Sequence, residues 1–344
     1  MCKGSILLIL TGGTISMVRD SKTDALKPAD VGLLEEYIPE LFESGIDVTL
    51  FHFDSLIDSS DVSPQDWSKI ASVIYSNYDL YDGFVVTHGT DTMSYSASAL
   101  SFMLVNLQKP IIFTGSQLPV GVLRSDAKEN LLTSIEIAAE KDEYGDSIVP
   151  EVCIFFGSKL LRANRSTKKA SDDFDAFESY NYSPLAIAGV NITYYEHLIH
   201  YTESNKPLLL RSKTNQNVII LKLFPGISKE TVSSILGTKG LRGVILETYG
   251  SGNAPQADWL FEMLKGATDN GIIIVNKTQC HNGRVEMGRY ETSLNLLNAG
   301  VISGYDITTE ALLTKMMCLF GEYDDIEIIK KLLKTDLCGE ITIN

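Results

Sequence analysis

The sequence predicts an α/β protein in two parts: a larger N-terminal domain with a mostly parallel sheet flanked by helices, joined by a linker to a smaller flavodoxin-like C-terminal domain. Three observations lead there. Apolar runs of strand length alternate with amphipathic stretches of helix length throughout, the pattern of a parallel sheet covered on its faces. At 344 residues the chain exceeds one core of usual size, since domains run to ~100–200 residues. The pattern also lapses between Tyr194 and Asn217, in polar sequence such as Glu203-Ser204-Asn205-Lys206-Pro207, before a fresh apolar run starts at Val218. The expected limits are 1–195 for the first domain, 196–217 for the linker and 218–344 for the second.

Taken in order, Ile6 to Leu10 are strongly apolar and stop at a Gly-Gly turn, which predicts a buried strand over 5–10. The run is too short for the apolar core of a signal peptide or for a membrane span, so neither a leader nor a membrane anchor is expected. Further strands are expected at 47–53, 83–87, 110–114 and 152–156. The clearest helix starts near Ser63, which can cap it. Pro64 suits the first helical position, and Trp67, Ile70, Ala71 and Ile74 fall on one face at i, i+3, i+4 and i+7. Helices are also expected at 92–106 and 126–141. Beyond the linker, strands at 218–224, 243–248 and 272–276 and helices at 256–270 and 310–320 give a small β-α-β-α-β unit.

Composition excludes several roles. With 44 acidic against 29 basic residues the net charge is −15 and no basic stripe exists, so a nucleic acid partner is not expected. The acidity reads as a solvated surface. Five cysteines, odd in number, scattered and without a Cys-x-x-Cys pair, fit reduced thiols in the cytoplasm. The adjacent pair Cys280-His281 is too little to hold a metal, and no metal or cofactor is expected.

Polar residues collect where strands end. Thr11-Gly12-Gly13-Thr14 follows the first strand, where open α/β sheets tend to bind ligands. Its glycines let backbone approach a ligand and offer N–H groups to an oxyanion, yet they equally suit a plain tight turn. As a phosphate loop it lacks the spaced glycines and the terminal Lys-Ser/Thr. The strand at 83–87 runs into His88-Gly89-Thr90-Asp91-Thr92-Met93, more polar side chains than one helix cap requires. His88, without a serine elbow, reads as structural rather than as a base. A hydroxyl nucleophile would then need another base, and a lysine held neutral by burial, relayed through a second hydroxyl, could serve. Asp58-Ser59-Ser60-Asp61 could hold the ammonium and carboxylate of an amino acid or merely cap the helix at Ser63. Thr114-Gly115-Ser116-Gln117 is equally open.

In order and at this spacing, Thr11-Gly12-Gly13-Thr14-Ile15-Ser16 and His88-Gly89-Thr90-Asp91-Thr92-Met93 resemble the two signature segments of the bacterial-type L-asparaginase family. The similarity continues through Thr114-Gly115-Ser116-Gln117, Leu123-Arg124-Ser125-Asp126, Asn164-Arg165-Ser166-Thr167-Lys168, Phe174-Asp175-Ala176-Phe177, Gly250-Ser251-Gly252-Asn253-Ala254-Pro255 and Thr278-Gln279-Cys280, and so spans the chain. It is strongest to the cytoplasmic, type I branch. The resemblance implies hydrolysis of L-asparagine to L-aspartate and ammonia through a threonine acyl-enzyme. Thr14 would be the nucleophile, and Thr90, Asp91 and Lys168 the proton relay. Asp58, Ser59, Ser60, Thr90, Asp91 and Thr114 would bind substrate. Asn253 would reach a neighbouring subunit's site, so that a homodimer or homotetramer is expected. Lys168 is preferred over Lys169 because the segment from Asn164 aligns without a gap.

Two departures stand out. The loop Asp24-Ala25-Leu26-Lys27-Pro28 lacks the tyrosine that many relatives place there to support the nucleophile, and none precedes Tyr37. Allosteric type I enzymes bind regulatory asparagine with an arginine where this chain has Glu247. With Thr278 and Cys280, Glu247 would form a degenerate effector site that opposes the effector's carboxylate, and no asparagine-driven cooperativity is expected. The rivals are an ammonia-releasing amidotransferase subunit, which would carry extra N-terminal sequence, and a non-catalytic amino-acid sensor.

Overall fold

The structure, a computed structural model, describes residues 4–19, 26–28, 38–203, 206–288 and 291–343. Asp24, Ala25, Tyr37 and Cys2 lie outside the described residues. The chain divides into two compact units, Met1–Ser212 and Lys213–Asn344.

The larger unit is built on an eight-stranded sheet. In chain order its strands are β1 (Ser5–Gly12), β2 (Asp47–Ile57), β3 (Gly83–Thr87), β4 (Ile111–Thr114), β5 (Val152–Phe156), β6 (Lys159–Arg162), β7 (Ala186–Ala188) and β8 (Ile192–Tyr194). Across the sheet they run β8-β7-β6-β5-β4-β3-β1-β2. The first five are mutually parallel in the order 2-1-3-4-5, and β6, β7 and β8 add antiparallel pairs at one edge. The antiparallel edge was not foreseen. It begins at Gly157-Ser158, both at positive φ (54° and 69°), the two-residue turn that folds β6 directly back on β5.

Continuous apolar strands follow from burial on both faces. Ile6, Leu8, Leu10, Val85, Ile112, Cys153 and Phe155 belong to one core cluster with Leu131 and Ile135 of helix α3 (Ala127–Ala139). The intervening Leu7, Ile9, Phe84, Val86 and Phe113 are buried too and point to the opposite side, where helices α1 (Pro64–Asn77) and α2 (Met93–Met103) lie. Tyr78, just past α1, stacks on Phe84 at 6.0 Å. α1 starts as the sequence requires: Ser63 caps it in a capping box with Asp66, Pro64 is at its first turn, and Trp67, Ile70, Ala71 and Ile74 are buried.

The smaller unit has four parallel strands, β9 (Val218–Lys222), β10 (Gly243–Thr248), β11 (Ile273–Thr278) and β12 (Ile302–Ser303), in that spatial order. This is the small parallel-sheet domain expected, with its strands in chain order, while the 2-1-3-4-5 order occurs in the larger unit. Right-handed crossovers that always step the same way put their helices on one face. α4 (Lys229–Leu236), α5 (Asp258–Asp269) and α6 (Glu291–Asn298) pack in series there, whereas α7 (Thr309–Glu322) lies against β9 and β10 and is followed by α8 (Ile326–Leu333). α4, α6, α8 and β12 were not expected from the sequence. Each is short, from two to eight residues, and leaves little periodicity to read.

Candidate active site

The strand order of the larger unit reverses between β1 and β3, the place where open α/β sheets tend to form a ligand crevice. Thr11-Gly12-Gly13-Thr14 leaves one strand and His88-Gly89-Thr90-Asp91 the other. Thr11 Oγ1 donates to the Thr87 carbonyl at 2.7 Å and ties the two exits together. Gly13 has φ +80°, and a Cβ built on it would fall 2.7 Å from the Gly89 Cα and the His88 carbonyl carbon. Only glycine fits there. Gly89 lies equally close to Ser59, and Gly115 to the His88 carbonyl oxygen, so the exits of β2 and β4 press on the same loop. Thr92 Oγ1 completes the knot by donating to the Ser59 carbonyl at 2.6 Å. Thr14 opens a 3-10 turn, Thr14–Ser16, and is partly exposed, while the next residue, Ile15, is buried in the core.

The charged group converges on Thr90. Lys168 Nζ donates to Thr90 Oγ1 at 2.8 Å and to Asp91 Oδ1 at 2.7 Å. These residues lie more than 75 positions apart in the chain. Lys168 retains about a fifth of its side-chain exposure and faces the Asp91 carboxylate. Lys169, its alternate, is engaged elsewhere. Its ammonium binds Asp175 at 2.6 Å and Glu178 at 2.9 Å, and these hydrogen bonds hold it well above the ordinary lysine range. Asp175, in the acidic run near Lys168, is thereby structural.

His88 is a buried prop. A carbonyl can only accept, so Nδ1–H donates to the Gly89 oxygen at 2.7 Å, and Nε2 accepts from Ser96 Oγ at 2.9 Å. Trp67 Nε1 donates to the same hydroxyl at 3.0 Å. Burial pushes His88 below the usual imidazole range, against the opposing hydrogen bond to Gly89. Its burial disfavours the charged form, and the ring is aimed at the backbone of the loop. Ser96 was not singled out from sequence, and Trp67 only as part of the apolar face of α1, although the serines Ser96, Ser98 and Ser101 on a largely buried helix each have an internal partner.

On the β2 exit, Asp58 accepts from Ser60 N and Ser60 Oγ, both at 2.9 Å, and the backbone bond above all holds its carboxyl below the usual range. Ser59 is buried beneath the loop and Ser60 is exposed. Thr114 departs from expectation as a substrate contact. It is fully buried and its hydroxyl donates to the Phe155 carbonyl at 3.0 Å, because the last residue of a central strand has a neighbouring strand within reach. What the β4 exit brings to the crevice is Gly115, not the Thr114 hydroxyl.

Asn253, Glu247, Thr278 and Cys280 belong to the smaller unit. Asn253 closes a tight loop with Tyr249 through paired backbone bonds at 2.8 and 2.9 Å. Glu247 is engaged already: Oε1 accepts from Thr309 at 2.8 Å and Oε2 faces Lys222 at 3.8 Å. Thr278 Oγ1 donates to Gly250 O and accepts from Cys280 N, and Cys280 is an exposed free thiol. Lys277, not noticed in the sequence, is buried beside Glu247 and Glu310, with burial lowering it from the ordinary lysine value. Among the described residues no group of three or more His, Cys, Asp or Glu side chains is placed to hold a metal ion.

Comparison with known proteins agrees in both units. Residues 5–200 match the family model "Asparaginase, N-terminal" and residues 217–333 the model "Glutaminase/Asparaginase C-terminal domain". The chain is 42% identical over 351 residues to L-asparaginase 1 of Escherichia coli (strain K12), covering 99% of each chain. The crystal structure of L-asparaginase I from Vibrio cholerae superposes with a TM-score of 0.88 at 40% identity, covering 99% of both chains. The thermostable L-asparaginase from Thermococcus kodakarensis gives the same TM-score at 32% identity, covering 99% of this chain and 100% of that one. Two family models in order, together covering most of the residues, and a full-length relative of this similarity show that the chain belongs to the asparaginase family.

Proposed function

We propose that the crevice hydrolyses the side-chain amide of L-asparagine, with Thr14 as nucleophile and Thr90, Asp91 and Lys168 as the relay. The observation that carries this is the ammonium of Lys168 within hydrogen-bond reach of both Thr90 Oγ1 and Asp91, beside the loop that bears Thr14. Asp91 is largely exposed at the crevice and offers its carboxylate to the substrate's ammonium. With the extra proton of Lys168 given up to solvent, its amine accepts the Thr90 hydroxyl proton while Thr90 takes that of Thr14. Thr14 Oγ attacks the amide carbon, the C–N bond breaks, and the relay returns the proton to the leaving ammonia. Water then attacks the ester carbonyl, its proton passes to the relay, and aspartate and free Thr14 are released. Backbone N–H groups of the two loops face the developing oxyanion, each worth ~3–4 kcal/mol of barrier. Asp58, Ser59 and Ser60 hold the amino-acid end.

Asn253 completes the site from a neighbouring copy in a homodimer or homotetramer. The free thiols at Cys153, Cys280, Cys318 and Cys338 favour the cytoplasm as the compartment. Among the described residues no helix is long and apolar enough to cross a membrane. The test is ammonia release from asparagine by purified protein. Wild type is expected to turn over and Thr14→Ala to be inactive while folded; turnover by Thr14→Ala near the wild-type rate removes the assignment.

A further inference from the structure

Lys168 lies on a hairpin that is poor in its own bonds. Only Thr167 and Lys168 pair with Phe177 and Glu178, a two-residue antiparallel ladder, supplemented by Lys169 N donating to Ala176 O at 2.8 Å. A ladder of that size does not hold a side chain in place by itself. Two features fasten it to the main sheet. The Phe177 ring packs edge-on against Phe156 at the end of β5, 5.1 Å between centroids. The second is a closed ring of four charges. Asp175 and Glu178 of the hairpin each face two ammonium groups, Lys159 of β6 at 3.1 and 3.4 Å and Lys169 of the hairpin at 2.6 and 2.9 Å. Both carboxyl groups sit below their ordinary values.

We propose that Lys159, Lys169, Asp175 and Glu178 form a charge clamp that sets Lys168 on Thr90, so that they are positioning residues for turnover. Lys169 directly follows the strand residue Lys168 and continues its pairing through Ala176 O, and successive residues of extended chain point to opposite faces, so the clamp that takes Lys169 on one side leaves Lys168 directed to Thr90 and Asp91 on the other. The ring sums to zero charge and therefore fixes geometry without loading the crevice with a net field. All four side chains keep between about a quarter and two fifths of their exposure, where single pairs are weak, but a network that shares every partner gains from geometry. A base displaced by about 1 Å can lose ~10²-fold in rate.

This rests on the reading of Lys168 as the relay base, and the experiment keeps the two apart. Lys168→Met, Asp175→Asn/Glu178→Gln, Lys169→Glu and the swap Lys169→Glu/Glu178→Lys are each assayed for kcat, KM and thermal midpoint. Lys168→Met is expected to be inactive. The clamp double variant and Lys169→Glu are each expected to lose at least tenfold in kcat at a temperature where they are folded, with KM within twofold, and the swap to recover most of the Lys169→Glu loss. An active Lys168→Met overturns the base assignment. An inactive Lys168→Met beside a clamp variant with wild-type kcat, or with only a lowered midpoint, overturns the clamp.

Discussion

Thr90→Val isolates the relay because it exchanges one hydroxyl for one methyl at constant shape. Thr90 Cγ2, which lies 3.6 Å from where a Cβ on Gly115 would be, is retained, so packing in the loop is preserved. The bond lost is the one from Lys168 Nζ at 2.8 Å. Lys168 keeps Asp91 at 2.7 Å and partial exposure, so no buried charge is stranded. The fold should lose about 1 kcal/mol, the net worth of one hydrogen bond. Turnover loses more, since the hydroxyl is the only step between Lys168 and Thr14 in the proposed route. General acid–base help is worth ~10²–10⁴-fold, or ~2.7–5.4 kcal/mol of barrier at ~1.36 kcal/mol per tenfold. Ammonia release at saturating asparagine, with a thermal melt on the same sample, measures both. A folded valine variant within about threefold of wild type would refute the relay through Thr90.

Two further predictions concern the fold. Lys315 of α7 and Glu340 are both fully buried and paired, and Lys315 also donates to Thr335 O at 2.7 Å, while Glu340 accepts from Cys338 N at 2.8 Å, so the pair pins the C-terminal segment. Burial pushes Glu340 up, but the charge and hydrogen bond of Lys315 outweigh it and hold the carboxyl low. Lys315→Met strands that carboxylate at a cost of ~3–5 kcal/mol; urea denaturation should show it, and a loss under about 1 kcal/mol would contradict the pairing. For His88, the folded imidazole lies below its ordinary value, so the unfolded chain binds more protons as pH falls through about 6.5. Its contribution to stability is complete above that pH and is lost below it. Unfolding free energy between about pH 7 and 5 should fall more steeply in wild type than in His88→Gln, and equal slopes would show His88 to be uninvolved.

Much of the larger unit was legible because its faces are both buried. Continuous apolar runs mark β1, β3, β4 and β5, and the capped, periodic segment marks α1, since local sequence and tertiary burial ask for the same residues. The candidate site was legible as residue types at strand exits. The resemblance named Thr14, Thr90, Asp91 and Lys168 as candidates, and the structure brings Lys168 within hydrogen-bond distance of Thr90 and Asp91.

Tertiary structure decided the rest. The order 2-1-3-4-5 in the larger unit and its absence from the smaller one are properties of crossovers, which no local pattern encodes. Thr114 and Thr90 are both hydroxyls at strand exits, yet one is drawn into the sheet by the Phe155 carbonyl and the other is left facing Lys168. Lys168 and Lys169 are adjacent and alike in sequence, and what separates them is the alternation of a strand and the carboxylates on either side: Asp91 for one, Asp175 and Glu178 for the other. A sequence specifies which groups are available along the chain. Which of them meet depends on contacts made across 70 or more residues, and only the folded chain brings those within hydrogen-bond distance.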